Sequence, residues 1–196
     1  MIQEALDFLK NEINTYLNLK TGQSVDWVSL DNIALINENN NPNNDLKTKI
    51  ILSLVNVEED SVSRQQENFS RGEGRVLYKN PKIFLNLFVL FTTNAGTYSD
   101  SLKKLSRVMQ FFQANPVFDS LTNTNLDARI EKLTAKLHSL SFEQLNHLWG
   151  VLGGKYMPSV LYKICQVVID EDAVTGEAAY IKEIEINSKL KNMISS

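Results

Sequence analysis

The sequence predicts an α+β fold, a single domain whose mixed or mainly antiparallel sheet is covered by amphipathic helices. Three observations carry that prediction. Apolar residues recur at three- and four-residue spacing in three segments, 2–19, 99–112 and 141–152. Between them lie β-favouring runs, of which Ile83–Thr93 is apolar on both faces and therefore demands layers on both sides. No period of 20–50 residues recurs, which excludes repeat architectures.

Residues 2–19 place Ile2, Ala5, Leu6, Phe8, Leu9, Ile13, Tyr16 and Leu17 at spacings of three and four, with Gly22 just past their end, so an amphipathic helix opens the chain. Val25–Leu30 and Ile33–Ile36 are β-favouring and broken by Asp31-Asn32, which predicts one long bent strand or a tight hairpin. The asparagine cluster Asn37, Asn39, Asn40, Asn41, Asn43 and Asn44 around Pro42 then favours turns and marks a loop. A strand follows over Lys47–Val57, apolar on both faces in its first half and alternating in its second.

Residues 58–76 are polar, charged and glycine-bearing, and are expected to form a long mobile loop. After the Ile83–Thr93 strand, Ser99 and Ser101 offer caps for a helix over Ser99–Phe112 with Leu102, Leu105, Val108, Met109 and Phe112 on its stripe, ended by Asn115-Pro116. Ile130–Leu140 alternates as a strand would, although a helix can also be drawn through it; the strand is favoured. Ser141-Phe142-Glu143-Gln144 has the spacing of a capping box and begins a short helix that Gly153-Gly154 close. Ser159–Ile169 is a further strand and Tyr180–Ile186 an edge strand, with a ragged C-terminus at 187–196.

Composition narrows the function. With 196 residues and 43% hydrophobic content the chain can bury a core, and a net charge of -3 gives no summed positive field for nucleic acid or anionic lipid. No apolar run approaches the ~18 residues of a membrane span, and Glu4 stands where a secretion signal needs a basic flank, so assembly in the cytoplasm without membrane insertion is expected. One cysteine, Cys165, and two histidines leave almost no soft metal ligands, so no metal or cofactor is expected.

The residues that invite chemistry fail their tests. Lys155 follows two glycines, but a phosphate loop needs glycine where Trp149 stands and a hydroxyl where Tyr156 stands. His138 and His147 fall on different elements with no nucleophile motif beside them, and Cys165 lies in an apolar strand with no cation or helix N-terminus to activate it. Asp170, Glu171 and Asp172 lack calcium-loop spacing and read as a solvated strand end. Arg64, Arg71 and Arg75, in and around Arg71-Gly72-Glu73-Gly74-Arg75, read as a flexible charged connection or, if that segment has a function, as a partner-binding loop that orders against protein. No catalytic residue is expected.

Leu145-x-x-Leu148-Trp149, a glycine-containing turn, and Pro158-Ser159-Val160-x-Tyr162 leading into an apolar strand resemble the amino-terminal domain of tail-terminator (cap) proteins of phage-tail-like contractile injection systems, the Photorhabdus virulence cassette and antifeeding-prophage type. The opening helix, the strand Ile83–Leu90, Tyr98-x-x-Ser101-Leu102 and Phe112-x-x-Asn115-Pro116 agree with that resemblance. It implies a tail-terminator-like fold and a non-enzymatic protein. Such a protein forms a six-fold ring, binds inner tube and sheath, closes their distal end and stops polymerisation in a released or membrane-anchored particle. Trp149, Pro158, Ser159 and Tyr162 then count as structural motif residues, with Trp149 and Tyr162 expected to pack the short helix on the sheet. The competing readings are a small enzyme or ligand-binding domain with an unrecognised pocket, and an assembly adaptor or chaperone.

Overall fold

A computed structural model describes residues 1–36, 48–60, 69–72, 75–80, 82–93, 96–153, 155–169 and 174–179. The chain divides into two compact units, one built from Met1–Arg64 with Lys82–Ile169 and the other from Gln65–Pro81 with Asp170–Ser196.

The first unit contains α1 (Ile2–Thr21), β1 (Val28–Leu30), α2 (Ile33–Ile36), β2 (Ile50–Glu59), β5 (Ile83–Thr93), α3 (Tyr98–Ala114), β6 (Val117–Asp119), β7 (Lys132–Leu137), α4 (Phe142–Val151) and β8 (Ser159–Ile169). The second contains β3 (Phe69–Gly72), β4 (Arg75–Lys79) and β9 (Val174–Ala179). A six-stranded mixed sheet in the order β1-β2-β5-β8-β7-β6 forms the first unit, with β1 parallel to β2 and the remaining pairs antiparallel. The second unit is a three-stranded antiparallel sheet, β3-β4-β9.

Alternation along β5 builds two cores. Leu87, Val89 and Phe91 enter a large cluster with Leu9, Ile13 and Leu17 of α1 and Val108, Phe111 and Phe112 of α3. Phe88 and Leu90 face the other way, onto Ile33 of α2, Trp149 of α4 and Met157. Aromatic rings bind the larger core: Phe112 lies 4.3 Å from Tyr162 and 5.5 Å from Phe91, and Phe8 meets Phe118 of β6 edge-on at 5.4 Å. Each such pair adds about 0.5–1.5 kcal/mol beyond its burial.

Helix ends follow local chemistry. Gly22 closes α1 at φ 67°, the left-handed conformation that glycine adopts without a Cβ clash. The α4 capping box is present, with Gln144 N donating to Ser141 Oγ at 3.2 Å and Ser141 N to Gln144 Oε1 at 2.9 Å. For α3 the cap is Thr97, whose Oγ1 accepts from Asp100 N at 3.2 Å, and neither Ser99 nor Ser101 takes that role. Ser101 is instead buried, while Leu102 and Met109 of the expected stripe remain 43% and 40% exposed.

Three regions differ from the sequence-based expectation. Val25–Ile36 is not one long strand: β1 has three residues, and Ile33–Ile36 turn into a helix. The cause lies in β2, where Ser53 Oγ donates to Asp31 O and accepts from Ile33 N at 3.1 Å, while Asn32 Oδ1 caps the turn by accepting from Ala34 N at 3.0 Å. Within 58–76, expected as a loop, β2 runs on to Glu59, and Phe69–Gly72 and Arg75–Lys79 pair as a hairpin. Its alternation spans only four or five residues, too few to stand out in a charged stretch. The short strand β6 was also not foreseen; Phe118 anchors it between Phe8 and Phe111. The asparagine-cluster loop, the Tyr180–Ile186 strand and the 187–196 terminus lie outside the described residues.

Residues before β1 are held by α1. Asn14 Oδ1 accepts from Trp27 N at 2.8 Å and Val28 N at 2.9 Å, and Asn18 Oδ1 accepts from Trp27 Nε1 at 2.9 Å. Two asparagines one helical turn apart thereby align the entry to the edge strand.

Candidate assembly surface

The motif residues fall on both faces of the sheet. Trp149 is the one residue of α4 that is fully buried, packed among Ile51, Phe88, Leu90, Met157 and Leu161 and edge-on to Tyr156 at 5.9 Å. Tyr162, expected beside it, points the opposite way: it belongs to the α1 and α3 core, tilted against Phe112. Parity along β8 explains this, since Leu161 takes the α4 face and its neighbour Tyr162 must take the other. Burial pushes the Tyr162 hydroxyl above the usual tyrosine range. Pro158 and Ser159, both half-buried, lead into β8, with Ser159 opposite Thr92.

The residues tested for chemistry are dispersed. His138 lies against Phe88, ring edge to face at 5.1 Å, and its backbone N donates to Leu161 O. His147 and Lys155 are exposed, the first on α4 and the second after it. Cys165 is half-buried, and burial raises its thiol above the ordinary range, which disfavours thiolate. Among the described residues no three His, Cys, Asp or Glu side chains converge on a cation position. Arg71 and Arg75 belong to the β3-β4 hairpin, where Arg71 is opposite Val76 and Gly72 opposite Arg75. Arg64, Asp170, Glu171 and Asp172 lie outside the described residues.

What the first unit does present is an open, mainly apolar relief on the α4 face. Two shallow grooves, of about 300 and 380 Å³, flank the segment His138–Leu140 that joins β7 to α4. Leu90, Leu145 and Leu161 contribute to the first, Val55, Phe88 and Leu148 to the second. Over the Phe88 ring sits Lys163 Nζ at 5.3 Å, which also pairs with Glu58 at 3.7 Å. Neither groove was foreseen, because β2, β5, β7, β8 and α4 contribute to them from distant parts of the sequence.

These features define an α+β domain built on a six-stranded mixed sheet with helices on both of its faces. The chain matches the Pvc16 N-terminal domain family over residues 4–183 and belongs to that family. Among solved structures it is similar to the PVC sheath/tube terminator of an extracellular contractile injection system in its extended state, with a TM-score of 0.61 and 13% identity, covering 94% of this chain and 64% of that one. It is likewise similar to the tube-terminating cap of the anti-feeding prophage, with a TM-score of 0.59 and 14% identity, covering 90% of this chain and 58% of the other. The chain thus spans less than two thirds of either structure's length, and at these identities the likeness establishes the fold. No protein of curated function matches it.

Proposed function

We propose that this protein is a structural cap, a tail terminator, of a contractile injection system. It closes the end of inner tube and sheath and stops their polymerisation. The observation that carries this reading is the family match over 4–183, supported by the fold shared with two terminators. The protein acts without catalysis, as a ring of six copies, one face of which meets the last tube or sheath layer; Arg71 and Arg75, brought to one hairpin, are candidates for partner contact. Closed rings of identical subunits need two complementary patches on each chain.

Deletion of the gene tests this directly, with particle length read by negative-stain microscopy. Uncapped particles of abnormal or widely scattered length are expected. Particles of normal length with closed ends would remove the proposal.

A further inference from the structure

The longest unpaired backbone edge described in the first unit belongs to β2. Strand β1 covers it only at Ile50–Leu52, whereas β5 runs along its other side as far as Glu59. Hydrogen bonding fixes which groups face outward: Ile50 N donates to Trp27 O, and Leu52 O accepts from Asp31 N. Leu54 is the next outward residue in that alternation. The register then slips by one at Val55, between Leu54 opposite Val89 and Asn56 opposite Phe88. Beyond the slip Asp60 N donates to Phe84 O, so Asn56, Glu58 and Asp60 face β5 while Val57 and Glu59 face outward. Among the described residues, nothing bonds the outward N–H and C=O groups of Leu54, Val57 and Glu59.

The side chains along this edge are not those of a protected one. Exposed strand edges are commonly blunted with lysine, proline, inward charge or a bulge, and this edge has the bulge at Val55 but no lysine or proline between Leu54 and Glu59. Here Leu54 and Val57, 37% and 40% exposed, occupy outward-bonding positions. On the opposite face Val55, Asn56 and Glu58 wall the 380 Å³ groove over Phe88. Towards the end of the strand Glu58 pairs with Lys163, and Glu59 is exposed.

We propose that the outer edge of β2, Leu54–Glu59, receives an extended segment of another protein chain as an added strand, and that this segment alternates apolar with basic side chains. Backbone groups that nothing among the described residues bonds select an extended partner, Leu54 and Val57 select apolar contacts, and the exposed Glu59 selects lysine or arginine. A second copy of the same edge fits poorly, because pairing β2 with itself brings two acidic ends within reach of each other. The inference deepens the cap reading by giving the chemistry of one partner contact, and rests on it only for the partner's place in a particle.

The test uses the whole chain, isotope-labelled, titrated with an acetylated peptide alternating valine and lysine, a version with glutamate for lysine, and a version interrupted by proline. The valine–lysine peptide should slow amide exchange at Val57 and Glu59 by about tenfold or more near saturation, leaving exchange of the interior β5 amides unchanged. The glutamate and proline versions should bind at least about fivefold more weakly. Val57→Pro removes only an outward donor, so it should abolish the protection while the fold persists. Should that variant melt well below the parent, Glu59→Lys serves instead: it should weaken the valine–lysine peptide about two- to fivefold and favour the glutamate one. Equal binding of the two charged peptides, or unchanged exchange at Val57 and Glu59, would overturn the proposal. So would protection of those amides at high protein concentration without peptide, which assigns the edge to a second copy. A normal particle length on gene deletion sinks the cap reading and leaves the peptide result standing.

Discussion

Trp149 concentrates the energetics of α4 in one side chain. Of the ten residues of that helix it alone is fully buried, and Phe142 and Val151 at the two ends are 92% and 84% exposed. Trp149→Ala should therefore cost roughly 3–5 kcal/mol, since it empties the space that the indole fills among Ile51, Phe88, Leu90, Met157 and Leu161, and Leu145 and Leu148, only partly buried, cover its rim. Trp149→Phe should cost under about 1.5 kcal/mol, because the indole Nε1 it removes has no hydrogen-bond partner among the described residues. Denaturant midpoints of the two variants check both values; an unshifted midpoint for Trp149→Ala combined with lost partner binding would make Trp149 an interface anchor. The burial of Trp149 was readable from the stripe it shares with Leu145 and Leu148. The placement of Tyr162 was not, for β8 is apolar on both sides and such a strand carries no mark of which face meets which helix.

Among the elements, β8 shows how a readable strand hides an irregularity. Its boundaries, Ser159–Ile169, and those of β5 at Ile83–Thr93 follow from the extent of two β-favouring, largely apolar runs. Yet Leu87 pairs with Ile164 and Leu85 with Val167, so β8 carries one extra residue, and Gln166 sits at φ 73°. Past this bulge Val167, not residue 166, enters the large core. Alternation alone would put Gln166 on the core face with Tyr162 and Ile164; the bulge is concealed because the run is apolar on both faces, so a shift by one residue still leaves an apolar side chain on each side. Gln166→Val should destabilise by about 1–2 kcal/mol, because a β-branched side chain is strained at this φ. Gln166→Gly should stay within about 0.5 kcal/mol, relief of strain opposing the glycine's greater unfolded freedom. Both variants lose the 3.3 Å contact from Thr134 Oγ1 to Gln166 Oε1, so their difference isolates the backbone effect. Equal urea midpoints would show that the bulge is not under strain. Elements decided by distant partners were hidden for a related reason: α2 depends on Ser53, twenty residues away from Ile33, and a local reading of β-favouring residues misses it.

At the scale of the molecule, the question is whether the free chain already holds its proposed ring. The sheet of the first unit ends in β1 and β6, strands of three residues each, so edge-to-edge joining of copies there gains few backbone hydrogen bonds. Large exposed apolar side chains are spread over separate elements: Leu19 near the end of α1, Leu121 beyond β6, and Phe142 and Val151 at opposite ends of α4. Scattered apolar residues are ordinary for a monomer, whereas a lasting interface buries more than about 1,000 Å² per contact with a contiguous apolar centre. The net charge of -3 raises no strong repulsion between copies, so nothing long-range prevents their gathering on a template. Ring closure is then expected to draw on the terminal tube or sheath layer, which positions all copies at once and lowers the cost of joining them. Sedimentation velocity from about 1 to 100 µM should accordingly show a monomer, with higher assemblies appearing only when tube or sheath is added. A stable six-fold species of the free chain at low micromolar concentration would place the ring-forming energy in the chain itself and overturn this view of templated closure.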